Sequence, residues 1–290
     1  MAEKTDQIRF SIVIPAYNEA AYLGPTLQSL QRQDYPRAYE IIVVDNNSSD
    51  ATATIAASYG VRVLHEPEPG VCAARQRGSE AARGDFIVSA DADSIYPPGW
   101  LLRLETGFRD RPDVVAVAGP CRYNAPEWWM KALPGMLFAL VHTVFVLTGL
   151  VGYVSATNLA VRRTQFPGYD TTLTQGGDEL DLLRRLRRRG RVVWDRDNVV
   201  FTSPRRFVRG LLYTLVFSLV VHYLLTYGLN RLTGRRTLGT APAFRGPVRW
   251  RVRGRRRLLV SVTVMLAVAV GLITGAGPVA ASGVVSFLTR

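Results

Sequence analysis

Short apolar runs alternate with segments of helical spacing over the first hundred residues. The apolar, β-branched runs predict strands at residues 10–14, 40–44, 61–64 and 86–90. The segments between them predict helices: one contains Leu23, Leu27 and Leu30, one covers 51–59 after the candidate N-cap Asp50, and one follows Gly70. Pro15 is expected to end the first strand. The alternation predicts an α/β domain with a mainly parallel sheet.

Polar residues follow three of the predicted strands, at the carboxyl ends where α/β sheets bind ligands. These residues are Tyr17, Asn18 and Glu19 after the first strand, Asp45, Asn46 and Asn47 after the second, and Asp91 and Asp93 after the fourth. Asp91 and Asp93 are spaced i and i+2, so both can point the same way along an extended chain. Carboxylate oxygens suit Mg²⁺ or Mn²⁺, which predicts a cation site at this edge of the sheet.

The loop after the first strand, PAYNEA at residues 15–20, excludes two common nucleotide-binding classes. It contains neither the GxGxxG of dinucleotide-binding folds nor the GxxxxGK[ST] of P-loop proteins. It also lacks the glycine-rich loop with a basic residue that is expected of an enzyme that synthesises sugar nucleotides.

The net charge of +13 lies mainly in the C-terminal part of the chain, beside long apolar runs. Basic charge next to apolar segments favours an anionic membrane surface as partner, and we expect no nucleic acid. Cys72 and Cys121 have no metal-ligand spacing and are expected to be reduced residues of a cytosolic domain. The first ten residues lack the apolar core of a signal peptide, so we expect the domain to stay on the side where it is made.

Several segments, in a fixed order, resemble a known family. They are SIVIPAYNEAAYL, EIIVVDNNSSDAT, GVCAARQRG, FIVSADAD, YVSATNLAVRR and GGDELDLLRRLRRRG. Together they resemble the family 2 glycosyltransferases with the GT-A fold, over about residues 10–206. The resemblance implies a Rossmann-like catalytic domain at residues 1–206, followed by a membrane-associated region at 207–290.

The resemblance implies a sugar-nucleotide donor, a UDP- or GDP-sugar. It implies that the donor's base and ribose are bordered by Pro15, Ala16, Tyr17 and Glu19. Asp45 is then expected to hydrogen-bond the base, since a carboxylate accepts from a ring N–H or a ribose hydroxyl. Asp45 also suits the role of a turn cap.

Three arginines carry alternative interpretations. Arg75 lies in GVCAARQRG, whose family counterpart lines the nucleotide pocket; the alternative is a solvated helix arginine. Arg205 and Arg206 are interpreted either as membrane-edge anchors, which we prefer, or as a diphosphate clamp.

Asp91 and Asp93 form the DXD motif of the family and are implied to face the donor diphosphate. Asp93 is expected to ligate a divalent Mg²⁺ or Mn²⁺ that offsets charge on the departing nucleoside diphosphate. Asp91 is expected either to share that metal or to hold the ribose or a metal-bound water.

Asp178 and Glu179 are the candidate catalytic residues, because transfer to a hydroxyl needs a general base. The family order is Glu-Asp and here it is Asp-Glu, so which carboxylate is the base stays open, although Glu179 matches the family's aspartate by position. Alternatively, both acids only favour a helix N-terminus. With a lipid phosphate as acceptor, no proton need be removed, and the carboxylate would only position or polarise it.

The apolar run at 137–154 lies inside the resemblance, between the DXD motif and the acidic pair. A membrane span there would place the two motifs on opposite sides of the membrane. We therefore predict a helix at about 130–153 that lies in the membrane interface or against the domain, where Trp128 and Trp129 suit an interfacial position. An ordinary buried helix is the alternative.

Two further apolar segments, 211–229 and 258–288, flank an arginine-rich loop at 230–257. The positive-inside rule disfavours a two-span hairpin with this loop outside. We prefer a segment 211–229 that enters only the cytoplasmic leaflet, followed by one span. A re-entrant pair at 258–288 and the two-span hairpin are the alternatives.

These features lead to a leading hypothesis. It is an inverting, metal-dependent glycosyltransferase bound to the cell membrane with its catalytic domain on the cytoplasmic side, and with a lipid-linked acceptor such as a polyprenyl phosphate. The alternative is a non-catalytic sugar-nucleotide-binding or membrane scaffold protein.

Overall fold

A computed structural model describes residues 7–125, 127–172 and 178–207, with the backbone alone at Arg206. The strands in these residues are β1 (Phe10–Ala16), β2 (Tyr39–Asp45), β3 (Arg62–His65), β4 (Phe86–Ser89), β5 (Ser94–Ile95), β6 (Val114–Ala118), β7 (Cys121–Tyr123), β8 (Leu159–Arg162), β9 (Arg191–Trp194) and β10 (Val200–Thr202). The helices are α1 (Leu23–Gln31), α2 (Thr52–Ser58), α3 (Val71–Glu80), α4 (Trp100–Phe108), α5 (Trp128–Thr148) and α6 (Asp178–Arg187). Short 3-10 turns lie at Arg163–Gln165 and Pro204–Phe207.

The central sheet has seven strands in the order β3-β2-β1-β4-β8-β6-β9. All neighbouring pairs are parallel except those of β8, which is antiparallel to both β4 and β6. The predicted α/β class with a mainly parallel sheet is confirmed. The carboxyl ends of β1, β2 and β4 therefore lie at one edge, as predicted for the polar strand ends.

The prediction that Pro15 ends the first strand is wrong. β1 continues to Ala16, and Pro15 pairs with Val44 of β2. On its other side, β1 pairs with β4 only as far as Val13. Pro15 therefore lies where β1 has a neighbour on one side only, and a missing N–H is tolerated at such an edge.

Apolar residues cover both faces of the sheet, as expected for a sheet buried between helices. On one face, Ile12 and Ile14 of β1 share a core cluster with buried leucines of α1 and α4. On the other face, Val13 packs in a cluster with Ala74 of α3. A third cluster joins β6 and β8 to α5 and α6, through residues such as Phe138.

A second sheet of three strands, in the order β5-β10-β7, brings the end of the described chain to the DXD motif. β10 pairs antiparallel with β5, and Thr202 stands opposite Ser94. The Ser203 N–H donates to the Asp93 carbonyl at 3.1 Å. The backbone around Asp93 is therefore fixed by residues from the other end of the domain.

Helix α5 begins at Trp128 and ends at Thr148, earlier than the predicted residue 153. Gly149 adopts a left-handed conformation with φ 72°, and its N–H bonds the Phe145 carbonyl, which closes the helix. By length and composition, α5 is the one helix of the described residues that is apolar enough to cross a membrane, and 17% of its most apolar window is buried. Its exposed apolar side chains include Trp128, Leu140 and Leu147. Among the described residues, then, α5 is not the ordinary buried helix of the alternative interpretation.

The predicted segments 211–229, 230–257 and 258–288 lie outside the described residues, and so does the choice among their membrane arrangements.

Candidate active site at the carboxyl edge of the sheet

The turn that carries Asp91 and Asp93 follows β4 and is braced by hydrogen bonds. The Thr26 hydroxyl donates to the Ala92 carbonyl at 2.9 Å. The Asp91 N–H donates to the Tyr96 hydroxyl oxygen at 2.9 Å, and that hydroxyl lies 3.2 Å from the Thr157 hydroxyl. The two carboxylates therefore project from a fixed backbone, with side chains that are 24% exposed at Asp91 and 9% exposed at Asp93.

Arg75 of α3 joins the DXD motif to the acidic pair. Its Nη2 lies 2.9 Å from Asp91 Oδ1, and its Nη1 lies 2.6 Å from Asp178 Oδ2. Arg75 is buried, so the alternative of a solvated helix arginine is wrong. One guanidinium thus brings together two carboxylates that the sequence assigned to the donor and to catalysis.

The electrostatics around Arg75 keep it charged. Burial alone would lower the pKa of Arg75, but Asp178 and then Asp91 outweigh it, so the pKa lies well above the ordinary arginine value. Burial raises the pKa of the neighbouring Tyr169 to about 12, although Arg75 opposes that rise. Burial, then Asp178, raises the pKa of the Cys72 thiol. The Cys72 thiol and the Tyr169 phenol are therefore neutral neighbours of the permanently charged Arg75.

The two acids of α6 have different surroundings. Asp178 is buried and paired with Arg75, whereas Glu179 is half-buried. Three acids occupy the first turn of α6, where the helix dipole favours negative charge. The third, Asp181, is paired within the helix with Arg184 at 3.0 Å and Arg185 at 2.7 Å.

Residues after β1 and β2 lie at the same edge of the sheet. Tyr17 is 40% exposed directly after the half-buried Pro15 and the buried Ala16 at the end of β1, at a position open to a ligand. Asp45 is buried, and its Oδ1 accepts the Ser48 N–H at 3.3 Å, so it does cap its turn. Its Oδ2 lies 3.8 Å from His65 Nδ1.

Glu19 and Arg205 bind each other at this edge of the sheet. Both carboxylate oxygens of Glu19 accept from Arg205, at 2.6 and 2.7 Å. The place of Glu19 beside the base and ribose stays a prediction. Arg205 Nε also lies 2.8 Å from Asp93 Oδ2, and its side chain is 14% exposed. The preferred interpretation of Arg205 as a membrane-edge anchor is therefore wrong. The side chain of Arg206 lies outside the described part of the chain.

The residues at this edge fit a divalent cation by the chemistry of their donors. Asp91 and Asp93 offer hard carboxylate oxygens, and each already binds a guanidinium cation. Within the described residues, no group of three or more His, Cys, Asp or Glu side chains forms a complete metal site. Mg²⁺ and Mn²⁺ typically bind one or two carboxylates and take further ligands from waters and substrate phosphates.

Sequence reasoning missed the residues that support the site. Tyr96 and Thr157 brace the Asp91 turn, and Thr157 lies in the segment YVSATN that was noted only for its family resemblance.

A run of arginines follows Arg185, at positions 187, 188, 189 and 191. Its last member, Arg191, bonds Asp113 at the amino end of β6. That end of the sheet is opposite to Asp91, so the run takes no part in the site.

Comparison with known proteins gives one family. A family model described as Glycosyl transferase family 2 matches residues 11–166. The chain is 33% identical over 136 residues to the undecaprenyl-phosphate 4-deoxy-4-formamido-L-arabinose transferase of Aeromonas hydrophila, and the match covers 44% of this chain and 41% of that protein. It is 31% identical over 127 residues to the dolichol-phosphate mannosyltransferase of Pyrococcus furiosus, and that match covers 42% of this chain and 36% of the other protein. The matched region spans less than half the length of these relatives.

Among solved structures, the fold is similar to that of glucosyl-3-phosphoglycerate synthase from Mycobacterium tuberculosis, in complex with Mn²⁺, UDP and glucosyl-3-phosphoglycerate. The TM-score is 0.51 at 22% identity, over 68% of this chain and 70% of the other. The likeness supports the GT-A type of sheet and helix arrangement.

Proposed function

The chain belongs to glycosyl transferase family 2, and on that premise we propose that it moves a sugar from a UDP- or GDP-sugar to a lipid-linked acceptor. The transfer inverts the anomeric carbon and uses Mg²⁺ or Mn²⁺ as cofactor. Two relatives are named for transfer to undecaprenyl phosphate and dolichol phosphate, which supports a polyprenyl phosphate as acceptor. The structural neighbour held with UDP and Mn²⁺ supports a nucleotide donor and a divalent metal.

The observation that carries the proposal is the Arg75 bridge. Asp91 and Asp178 lie far apart in the chain, yet both bind one buried guanidinium, at 2.9 and 2.6 Å. The donor end of the site and the acidic pair are therefore close enough to act on one substrate. A protein that only held a sugar nucleotide would have no need of the second carboxylate at this distance.

In the donor complex we assign each residue one task. Tyr17 and Asp45 border the base and ribose, and Pro15 and Ala16 form the end of β1 beside them. Asp93 ligates the divalent cation, with Asp91 beside it. When bound, that cation offsets negative charge on the departing nucleoside diphosphate.

Glu179 is the base that we propose for a hydroxyl acceptor. An acceptor oxygen attacks the anomeric carbon, the bond from that carbon to the diphosphate oxygen breaks, and the hydroxyl proton passes to the Glu179 carboxylate. Asp178 is less suited, because its Oδ2 is already committed to the buried Arg75. With a phosphate acceptor no proton moves, and Glu179 then positions the attacking oxygen.

The acceptor is proposed to arrive from a membrane surface next to α5. Trp128, Met136 and Leu140 are 69%, 69% and 61% exposed on this helix. A helix with an aromatic residue at its end and apolar side chains facing outward suits the membrane interface. Attachment there would hold the catalytic domain on the cytoplasmic side of the cell membrane.

The test is sugar transfer by the full chain in detergent, with a panel of UDP- and GDP-sugars, Mn²⁺, and either a polyprenyl phosphate or a soluble alcohol as acceptor. We expect nucleoside diphosphate release that depends on the lipid acceptor and is lost in Asp93→Asn. Should the hydroxyl acceptor be used, Glu179→Gln should lower kcat by roughly 10²–10⁴. Glu80→Gln, at an exposed carboxylate that bonds Gln76, is the matched control.

Two results would contradict the proposal. Turnover that is equal in Asp93→Asn and the unmodified chain would remove Asp93 from the site. A rise in thermal midpoint with a donor, but no transfer to either acceptor, would favour the non-catalytic binding protein, since a ligand stabilises the fold whether or not it reacts.

A further inference from the structure

Arg205 lies between two carboxylates from distant parts of the chain. Its Nη1 and Nη2 bind the two oxygens of Glu19 at 2.6 and 2.7 Å, and its Nε binds Asp93 Oδ2 at 2.8 Å. The guanidinium carbon also lies 5.1 Å from the centre of the Tyr22 ring. Each guanidinium nitrogen thus has a carboxylate partner, and a bidentate pair of this kind fixes the plane of the group.

The pair with Asp93 differs in character from the pair with Glu19. Glu19 is buried and binds Arg205 through both oxygens, whereas Asp93 binds it through one oxygen and one nitrogen. The contact of Asp93 with Nε can break through a rotation of the Asp93 side chain, which leaves the bidentate pair of Arg205 with Glu19 in place. The backbone need not move, since Ser203 and Asp93 are hydrogen-bonded to each other.

Arg205 and a divalent metal would compete for the same carboxylate. Both are cations, and both need the oxygens of Asp93. At a separation of a few ångströms, like charges repel strongly in a site that is largely shielded from water. A nucleoside diphosphate changes this balance, because its negative charge offsets the repulsion and its oxygens accept the hydrogen bond that Arg205 withdraws from Asp93.

We propose that Arg205 is a displaceable counter-ion of Asp93 which makes metal binding conditional on the donor diphosphate. Without the donor, Arg205 neutralises Asp93 and keeps metal affinity low. With the donor, the Asp93 carboxylate turns from Arg205 to the metal, and the Arg205 Nε–H then donates to the diphosphate while Arg205 keeps its bidentate pair with Glu19. This inference rests on the proposed role of Asp93 as a metal ligand. By linkage, metal and diphosphate then raise each other's affinity by the same factor.

The test is Mn²⁺ binding to the full chain, measured by electron paramagnetic resonance of free Mn²⁺, with no nucleotide and then with UDP or GDP. We expect Arg205→Gln to bind Mn²⁺ alone at least about tenfold more tightly than the unmodified chain, because a competing charge is removed. We expect the same substitution to reduce the gain in Mn²⁺ affinity that the nucleotide gives. Arg37→Gln removes an equal charge at an exposed pair with Glu105 and should leave Mn²⁺ affinity unchanged.

The outcomes separate the inference from the proposed function. If Asp93→Asn loses Mn²⁺ binding but Arg205→Gln binds Mn²⁺ alone no more tightly than the unmodified chain, the counter-ion role is wrong and the metal site stands. If Asp93→Asn binds Mn²⁺ normally, the metal site itself is wrong. Arg205→Gln can fail to fold because Glu19 then lacks its cation, and in that case the double variant Glu19→Gln/Arg205→Gln tests the counter-ion role. The role is wrong unless this double variant binds Mn²⁺ alone more tightly than the unmodified chain.

Discussion

Two arginine side chains balance the negative charge of the site, and each forms ion pairs with two carboxylates. Arg75 holds Asp91 and Asp178, and Arg205 holds Glu19 and Asp93. Carboxylates at this depth are stable as anions only when a cation or several hydrogen-bond donors compensate for lost water. Loss of either arginine therefore leaves a pair of anions without its shared cation.

Removal of Arg75 should destabilise the fold strongly. Arg75 and Asp178 side chains are both 6% exposed, and breaking a buried ion pair from one side typically costs about 3–5 kcal/mol. We expect Arg75→Ala to lower the free energy of unfolding by an amount in that range, measured by urea denaturation. Arg37→Ala, at a side chain that is 48% exposed, should cost less than about 1 kcal/mol. Equal losses in the two variants would mean that the Arg75 pair is solvated.

The sequence predicts the acids of the site better than their partners. The i, i+2 spacing after an apolar strand identifies Asp91 and Asp93 by a local rule that holds in any extended chain. The partners come from elsewhere: Arg75 and Asp178 are 103 residues apart, and Glu19 and Arg205 are 186 apart. No periodicity links positions at such separations, so Arg205 gave two interpretations from sequence, of which the preferred one is wrong.

Among the helices, α3 determines the position of Arg75 in the site, because this helix packs directly on the sheet. A Cβ added to Gly78 would lie 2.3 Å from Val13 Cγ1 and 2.9 Å from Val44 Cγ2. Arg75 is one turn earlier on the same helix, so the close approach at Gly78 also fixes how far Arg75 reaches toward Asp91.

Gly78→Ala should destabilise the protein although alanine is the better helix former. Overpacking a close contact typically costs about 1–3 kcal/mol, which exceeds the gain in helix propensity of about 1 kcal/mol. Thermal and urea unfolding of the variant measure the net loss. Gly135→Ala in α5 is the matched control, because no atom of the described residues lies within 4 Å of the added carbon, and it should be neutral or stabilising. A stable Gly78→Ala would indicate that α3 can shift away from the sheet.

Strand length explains why the shortest strands were not found by sequence reasoning. β1, β2 and β4 are buried apolar runs of four to seven residues, and their positions were predicted to within a residue or two. β5, β7 and β10 have only two or three residues each, too few to show alternation. Their pairing is determined by contacts between distant segments, and these are the strands that close the end of the site that carries Asp93.

For the whole molecule, α5 is the feature that relates the site to its surroundings. Its inner residues Phe138 and Val141 belong to the core, and Phe138 stacks on Trp194 at 5.7 Å between ring centres. Its outer face presents Leu140, Val146 and Leu147, which are 61%, 65% and 78% exposed. Contiguous apolar exposure of this kind on a folded domain marks an interaction surface.

Trp128 should lie at the depth of the lipid head groups when the full chain is reconstituted in liposomes. It is 69% exposed at the start of α5, a position where tryptophan favours the membrane interface. We expect lipids brominated near the head group to quench part of the tryptophan fluorescence, and Trp128→Phe to lose about a fifth or more of that quenching, since indoles settle at this depth. Trp194→Phe, at a buried tryptophan, should leave it unchanged. Identical quenching in the unmodified chain and Trp128→Phe would show that α5 faces water.

Composition indicated a membrane-associated protein, and the apolar run predicted α5 closely at its start. The end of the helix was set by Gly149 in a conformation that hydropathy does not reveal. The domain division at residue 206 and the arrangement of 207–290 remain predictions, because residues 208–290 lie outside the described part of the chain.

The pairing of β10 with β5 has a consequence for biosynthesis. A ribosome releases Asp93 long before Thr202 and Arg205, so the DXD turn emerges without the strand and the cation that complete it. Domains of this size generally fold as units once their parts are available. The site therefore closes only after synthesis of the apolar segment 211–229 has begun, so if that segment enters a bilayer as predicted, completion of the site and delivery to the membrane would coincide in time.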